Sequence, residues 1–204
     1  MKHRSSLLLI IFAFFLLFPA VSNGSPFCAC CSEPGHYSIS VRQPDSYEMD
    51  EIKKLRFKGA GLYLTAAGED GIKGLGSITD TYSVDSIFGA KFWKFDFRDE
   101  NEKPGFLNLR MPSTMVAFAA DIHDGQTGGG GGPLLYKEWR FKNRVSEATG
   151  IFQKGMAPKT EYFLVLQGRG NVCTSAEDFT NWRLEITGKK ANYAFFGDFE
   201  KQAD

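Results

Sequence analysis

Along most of the chain, apolar residues recur at every second position in short runs that end at Gly, Pro, Asn or Asp. That period of two is the spacing of a strand with one face buried and one in water. In Trp182 to Thr187, Trp182, Leu184 and Ile186 fall on one side and Arg183, Glu185 and Thr187 on the other. Lys91 to Arg98 places Trp93, Phe95 and Phe97 inward against Lys94, Asp96 and Arg98. Leu134 to Asn143 sets Leu135, Trp139 and Phe141 against Tyr136, Glu138, Arg140 and Lys142. The same reasoning predicts strands at Tyr37–Arg42, Gly61–Ala66, Ile78–Val84, Phe106–Met111, Met115–Asp121, Gly150–Gln153, Glu161–Gln167 and Ala191–Phe196. Met115–Ala120 and Tyr162–Leu166 are apolar on both faces, which predicts central positions.

The period lengthens once. From Ser46 to Leu55, Met49, Ile52 and Leu55 recur every third residue behind an Asp45-Ser46 start, which predicts one short helix near 46–55. Closely spaced strands with almost no helix between them pair antiparallel. The expected fold is therefore all-β, an antiparallel sandwich or barrel of about ten strands.

Composition narrows the function more than it identifies it. Apolar residues make up 43% of the chain and charged ones 24%, enough to offset chain entropy with one sizeable core. Lys and Arg number 24, as do Asp and Glu, so the cationic excess of a nucleic-acid binder is missing. Among the aromatics Phe dominates, 19 against 7 Tyr and 3 Trp, which favours bulk packing over a polar-edged ligand platform.

The first residues change the picture of where the protein works. Lys2 and Arg4 precede an apolar run from Leu7 to Phe18 and then Pro19-Ala20-Val21-Ser22, the layout of a secretory signal peptide. Cleavage is expected after Ser22, with Gly24 as the alternative. Leu7 to Val21 falls short of the ~20 residues that span a bilayer, so removal is favoured over anchoring and no span is expected in the mature chain. Residues 1–22 then form the leader, 23–35 a Cys-containing segment and 36–204 a single β domain, secreted or periplasmic. The mature chain keeps 22 basic and 24 acidic residues, too even a balance to steer a charged partner.

All four cysteines, Cys28, Cys30, Cys31 and Cys173, lie beyond the leader. In an oxidising compartment they are expected to pair. Ring size disfavours Cys30–Cys31 and Cys28–Cys30, which leaves Cys28–Cys31 with Cys30–Cys173. The alternative is a thiolate metal site of Cys28, Cys31, His36 and Cys173, a set with zinc-like spacing but better suited to reducing surroundings.

Candidate chemistry concentrates in Asp121-Ile122-His123-Asp124. At strand spacing Asp121 and His123 share a face, as in a carboxylate-oriented base or a pair of metal ligands, with Gly125–Pro133 as a covering loop. The competing reading is a strand end followed by a polar hairpin loop. Arg169 is expected to pair with Glu177 or Asp178 on the surface, the alternative being an anion clamp. The glycine run lacks the Gly-Lys-Ser/Thr ending of a phosphate loop, and neither a Gly-x-Ser-x-Gly elbow nor a His-Glu-x-x-His helix occurs. The function expected is a non-catalytic secreted or periplasmic domain that binds an unidentified ligand or protein, without a cofactor. The alternatives are a metal-dependent hydrolase around Asp121, His123 and Asp124, or a thiolate metal-binding protein built on the Cys28–Cys31 cluster.

Overall fold

A computed structural model describes residues 37–64, 69–128, 132–172 and 174–200. The strands are β1 (Tyr37–Arg42), β2 (Ala60–Leu62), β3 (Thr81–Phe88), β4 (Phe92–Asp99), β5 (Pro104–Arg110), β6 (Met115–Ala120), β7 (Tyr136–Ala148), β8 (Glu161–Arg169), β9 (Phe179–Thr187) and β10 (Asn192–Asp198), with helix α1 (Ser46–Lys54) after β1. Strands β2, β3, β4, β5, β7, β8, β9 and β10 pair antiparallel in that order, and β10 returns to β2, closing an eight-stranded barrel. The expected all-β antiparallel fold is the one observed, and closure decides for barrel over sandwich.

Two strands lie outside the ring. β7 is long enough to serve two neighbours on one edge, taking β6 along Tyr136–Phe141 and β5 along Val145–Ala148. β1 pairs with the far side of β6, so β1 and β6 form a wing continuous with the barrel wall. The doubly apolar β6 is thus not central to the barrel as expected. Its inward Met115 reaches the core, while Val116 to Ala120 stay half-buried.

Side chains fill the barrel. Trp93, Trp139, Trp182, Phe95, Phe97, Phe141, Phe195, Leu107 and Leu184 are essentially inaccessible, and neighbouring rings meet edge to face, as in Trp93–Phe141 with centroids 5.0 Å apart. Small barrels close this way, with side chains occupying the axis. One end is plugged by a 3-10 turn, Gly150–Gly155, whose Phe152 lies against Phe97 at 5.2 Å and stacks on Tyr193 at 5.9 Å. A strand was expected at Gly150–Gln153. Gly150 instead takes a left-handed φ of 56° beside the Pro104 carbonyl, which turns the chain out of the strand and drops Ile151 and Phe152 into the opening.

The other end is covered by α1. Asp45 caps it reciprocally: its carboxylate accepts from Glu48 N–H at 2.8 Å, and Glu48 accepts from Asp45 N–H at 3.0 Å. Met49, Ile52 and Leu55, the residues picked out by the period of three, are buried. Among the described residues no helix is long and apolar enough to cross a membrane. The leader, all four cysteines and His36 lie outside the described residues, and with them both cysteine pairings and the alternative metal set.

Candidate functional site

Three polar or open regions emerge from this frame, and the first is the one expected to carry chemistry. β6 ends at Ala120, so Asp121 and His123 do not share a strand face. They meet through a turn: Asp121 accepts from His123 N–H at 2.9 Å, and His123 takes a left-handed φ of 55°. The imidazole Nδ1 then lies 2.6 Å from Asp121 Oδ2, with the ring two-thirds exposed and the carboxylate buried. An Nδ1–H tautomer donates to the carboxylate and leaves Nε2 facing outward, the orientation a general base requires.

Asp124, the third residue expected at this site, is not brought to the pair. Asp124 turns away to an ion pair with Arg169, and that guanidinium holds the Asp124 carboxyl below the usual carboxylate range. Arg169 was expected to take Glu177 or Asp178. Its main-chain N–H does bond the Asp178 carbonyl at 3.0 Å, but its guanidinium takes Asp124 while the Asp178 carboxylate pairs with Lys137. The covering loop folds on itself as a hairpin, with Gly128 N–H to Gly132 O at 2.8 Å and Leu134 N–H to Gln126 O at 2.9 Å, its tip lying outside the described residues. Among the described residues, no three His, Cys, Asp or Glu side chains converge to hold a metal ion. His123→Ala is therefore expected to leave folding stability within about 0.5 kcal/mol of wild type. Zinc titrations of the two proteins should coincide, and zinc affinity present only in the wild type would favour the hydrolase reading.

The second region is a polar plug between the α1-covered end and the loop that precedes β9. Lys137 points inward from β7, 5% exposed, between Leu135 and Trp139. Its ammonium donates to Val172 O at 2.6 Å, Ser175 O at 2.7 Å and Asp178 Oδ2 at 2.8 Å, and lies 5.0 Å from the Phe179 ring centre. All three N–H donors are used. Burial pushes the Lys137 pKa down, while the Asp178 carboxylate partly offsets that effect. Behind it, buried Glu48 pairs with Arg42 and buried Glu51 with Lys54. The plug ties the loop flanking residue 173 to the barrel. Its ammonium is saturated, so it is a structural fixture and not a waiting nucleophile. The alternation named Lys137 on neither face, although it sits in the inward phase of Leu135, Trp139 and Phe141, the one signal in the sequence that marks it.

The third region had no sequence signal. β2 is only three residues long, and it pairs with β3 at Ala60–Tyr82 and Gly61–Thr81 alone. Gly59, at φ 114°, swings the preceding residues onto β10, where Lys58 N–H bonds Asp198 O at 2.9 Å and Phe57 bridges to Phe199. Past Tyr82, the β2-side edge of β3 has no strand partner among the described residues. Two adjoining hollows of about 460 and 420 Å³ follow this edge and share Phe57, Val84 and Glu200 in their walls.

Main-chain groups of an antiparallel strand alternate between its two edges. Gly89 N–H bonds Phe92 O on the β4 side, and Asp80 O accepts from Leu62 N–H on the β2 side. By that parity the N–H and C=O of Val84 and Ser86 point into the slot. Comparison with family models, curated proteins and solved structures finds no match.

Proposed function

We propose that this is an exported, non-catalytic β-barrel domain that binds an extended segment of a protein partner by strand addition along the open edge of β3. The observation that carries the reading is the slot, where a sheet edge with unpaired main-chain groups lies over an aromatic floor of Phe57 and Phe88, ring centres 6.1 Å apart. Strand addition draws affinity from such main-chain groups and specificity from alternate side chains. The filled barrel interior favours an outer site over a guest held along the axis. Export rests on the Lys2/Arg4 start, the Leu7–Phe18 run and the Ala20-Val21-Ser22 ending.

The slot also selects charge. Asp85, Glu100, Glu102 and Glu200 line it with exposed carboxylates. Of the three cations at its rim among the described residues, Lys53 is held by Asp50 at 2.7 Å and the Arg56 guanidinium is spent on the carbonyls of Lys53 and Leu55, which leaves Lys58 alone against the four carboxylates. The surplus is acidic, so the matching segment alternates apolar and basic residues.

The test uses a synthetic hexapeptide of alternating Lys and Val, with a Glu/Val peptide for contrast. The Lys peptide is expected to shift the amide resonances of Val84 and Ser86, more weakly as salt is raised, whereas the Glu peptide leaves them in place. Ser86→Pro removes one slot-facing N–H without touching the β4 ladder, so it should fold and lose the effect. Resonances unmoved by the Lys peptide, or moved equally in folded Ser86→Pro, would overturn the reading.

A further inference from the structure

The second free edge of the sheet is β1, and its chemistry differs from that of β3. β1 pairs with β6 on one side, and its other side carries no strand among the described residues. Edge strands normally protect themselves with a charge, a proline or a bulge. The stretch Tyr37-Ser38-Ile39-Ser40-Val41 has none of these. Tyr37, Ile39 and Val41 project from one face and are 68%, 57% and 69% exposed. The apolar row continues onto the wing through Phe118, whose ring centre lies 6.0 Å from that of Tyr37.

The five residues are also nearly palindromic about Ile39. Under an antiparallel two-fold, Ile39 faces Ile39 of the second copy, Tyr37 faces Val41, and Ser38 faces Ser40. Apolar residues then meet apolar ones on one face and hydroxyls meet hydroxyls on the other, the pairing that stabilises neighbouring strands. The one charge at the end of the strand, Arg42, is neutralised within its own chain by Glu48, so association brings no unpaired charge to the seam. A closed, isologous contact of this kind leaves neither β1 edge free and stops at two copies.

We propose that two copies of this chain associate through β1, joining their wings into one continuous sheet about a two-fold axis at Ile39. The partner for this edge is a second copy because the strand matches itself on both faces and in charge. The site is separate from the β3 slot, so failure of either proposal leaves the other standing. A contact limited to one strand pair and its flanking side chains belongs to the small, weak class of interfaces, so the dimer is concentration-dependent.

Sedimentation of the full exported chain, from low micromolar to several hundred micromolar, is expected to show the mass rising from one copy to two. Ile39→Lys and Ile39→Glu change an exposed side chain, and each should keep the wild-type circular dichroism and thermal midpoint. Each sets like charges against each other at the axis, which should weaken dimerisation at least tenfold. An equimolar mixture of the two should dimerise again, because opposite charges then meet. A wild-type protein that stays monomeric throughout, an Ile39→Lys protein that dimerises like the wild type, or a mixture that fails to associate would each overturn the proposal.

Discussion

Trp182→Ala is expected to lower the unfolding free energy by about 3–5 kcal/mol, the range for removing a large aromatic side chain from a packed core. Trp182 is 1% exposed on β9. Its ring centre lies 4.9 Å from that of Phe57, and its Nε1–H donates to Asp198 O at 3.3 Å. Residue 197 is glycine because a Cβ there would come within 2.3 Å of the Gly59 carbonyl oxygen, with the indole a further 3.0 Å contact. Truncation thus empties volume that β2, β10 and the chain entering the slot all lean on. The measure is the urea midpoint with the slope checked for constancy. Ile87→Ala, at a side chain 64% exposed on the outer face, serves as the contrast and should move stability by no more than about 0.5 kcal/mol. A Trp182→Ala midpoint equal to that of wild type would show that the alternation misplaced the buried face.

The difference between these two positions was readable from the sequence, and the reason is physical. In a barrel wall each residue faces either core or solvent, so burial follows the period of two, and Trp93, Phe95, Trp139, Phe141, Trp182, Leu184 and Ile186 were placed correctly by it. β1 matches its expected limits, and α1 follows its cap and its period of three. Pairing ends elsewhere are set by partners instead of local pattern. β3 runs over Thr81–Phe88 where Ile78–Val84 was expected, because the hairpin to β4 fixes its end at Gly89. β7 extends to Ala148 because it must reach β5 after leaving β6.

The site was less accessible for a related reason. Asp121 and His123 were found as a pair, and of their two readings the strand end followed by a hairpin loop is the backbone the fold takes, but the turn that unites them depends on where β6 stops. The β3 slot arises from a missing contact, produced when Gly59 sends the chain to β10, and a missing long-range contact leaves no mark on local periodicity. The partner of Arg169 was misjudged because proximity in sequence suggested Glu177 and Asp178, whereas the fold brings Asp124 across 45 positions.

Lys137→Met is the strongest expected effect outside the aromatic core. Methionine nearly matches lysine in volume, so the loss is electrostatic. It strips a cation from Asp178, whose carboxylate is only 18% exposed, and leaves the Val172 and Ser175 carbonyls without their donor. Removing one member of a buried pair typically costs about 3–5 kcal/mol, mainly through the stranded partner. Adding Asp178→Leu removes the stranded charge and should recover part of the loss, although the two carbonyls remain unpaired. The pH dependence carries an independent sign. Burial holds the folded-state pKa of Lys137 below its ordinary value of 10.5. As pH rises through the window between the depressed value and 10.5, the folded chain releases a proton that the unfolded chain still holds. Unfolding free energy then increases with pH. Tyr162 and Tyr193, both pushed up by burial, act in the opposite sense at higher pH, but they are common to both proteins and cancel in the difference. The gap in stability between wild type and Lys137→Met, measured by urea unfolding at a series of alkaline pH values, should therefore widen as pH approaches 10.5. A gap that narrows over that window would mean that the Asp178 carboxylate outweighs burial and raises the lysine pKa, and Lys137 would then be a conventional ion-pair strut.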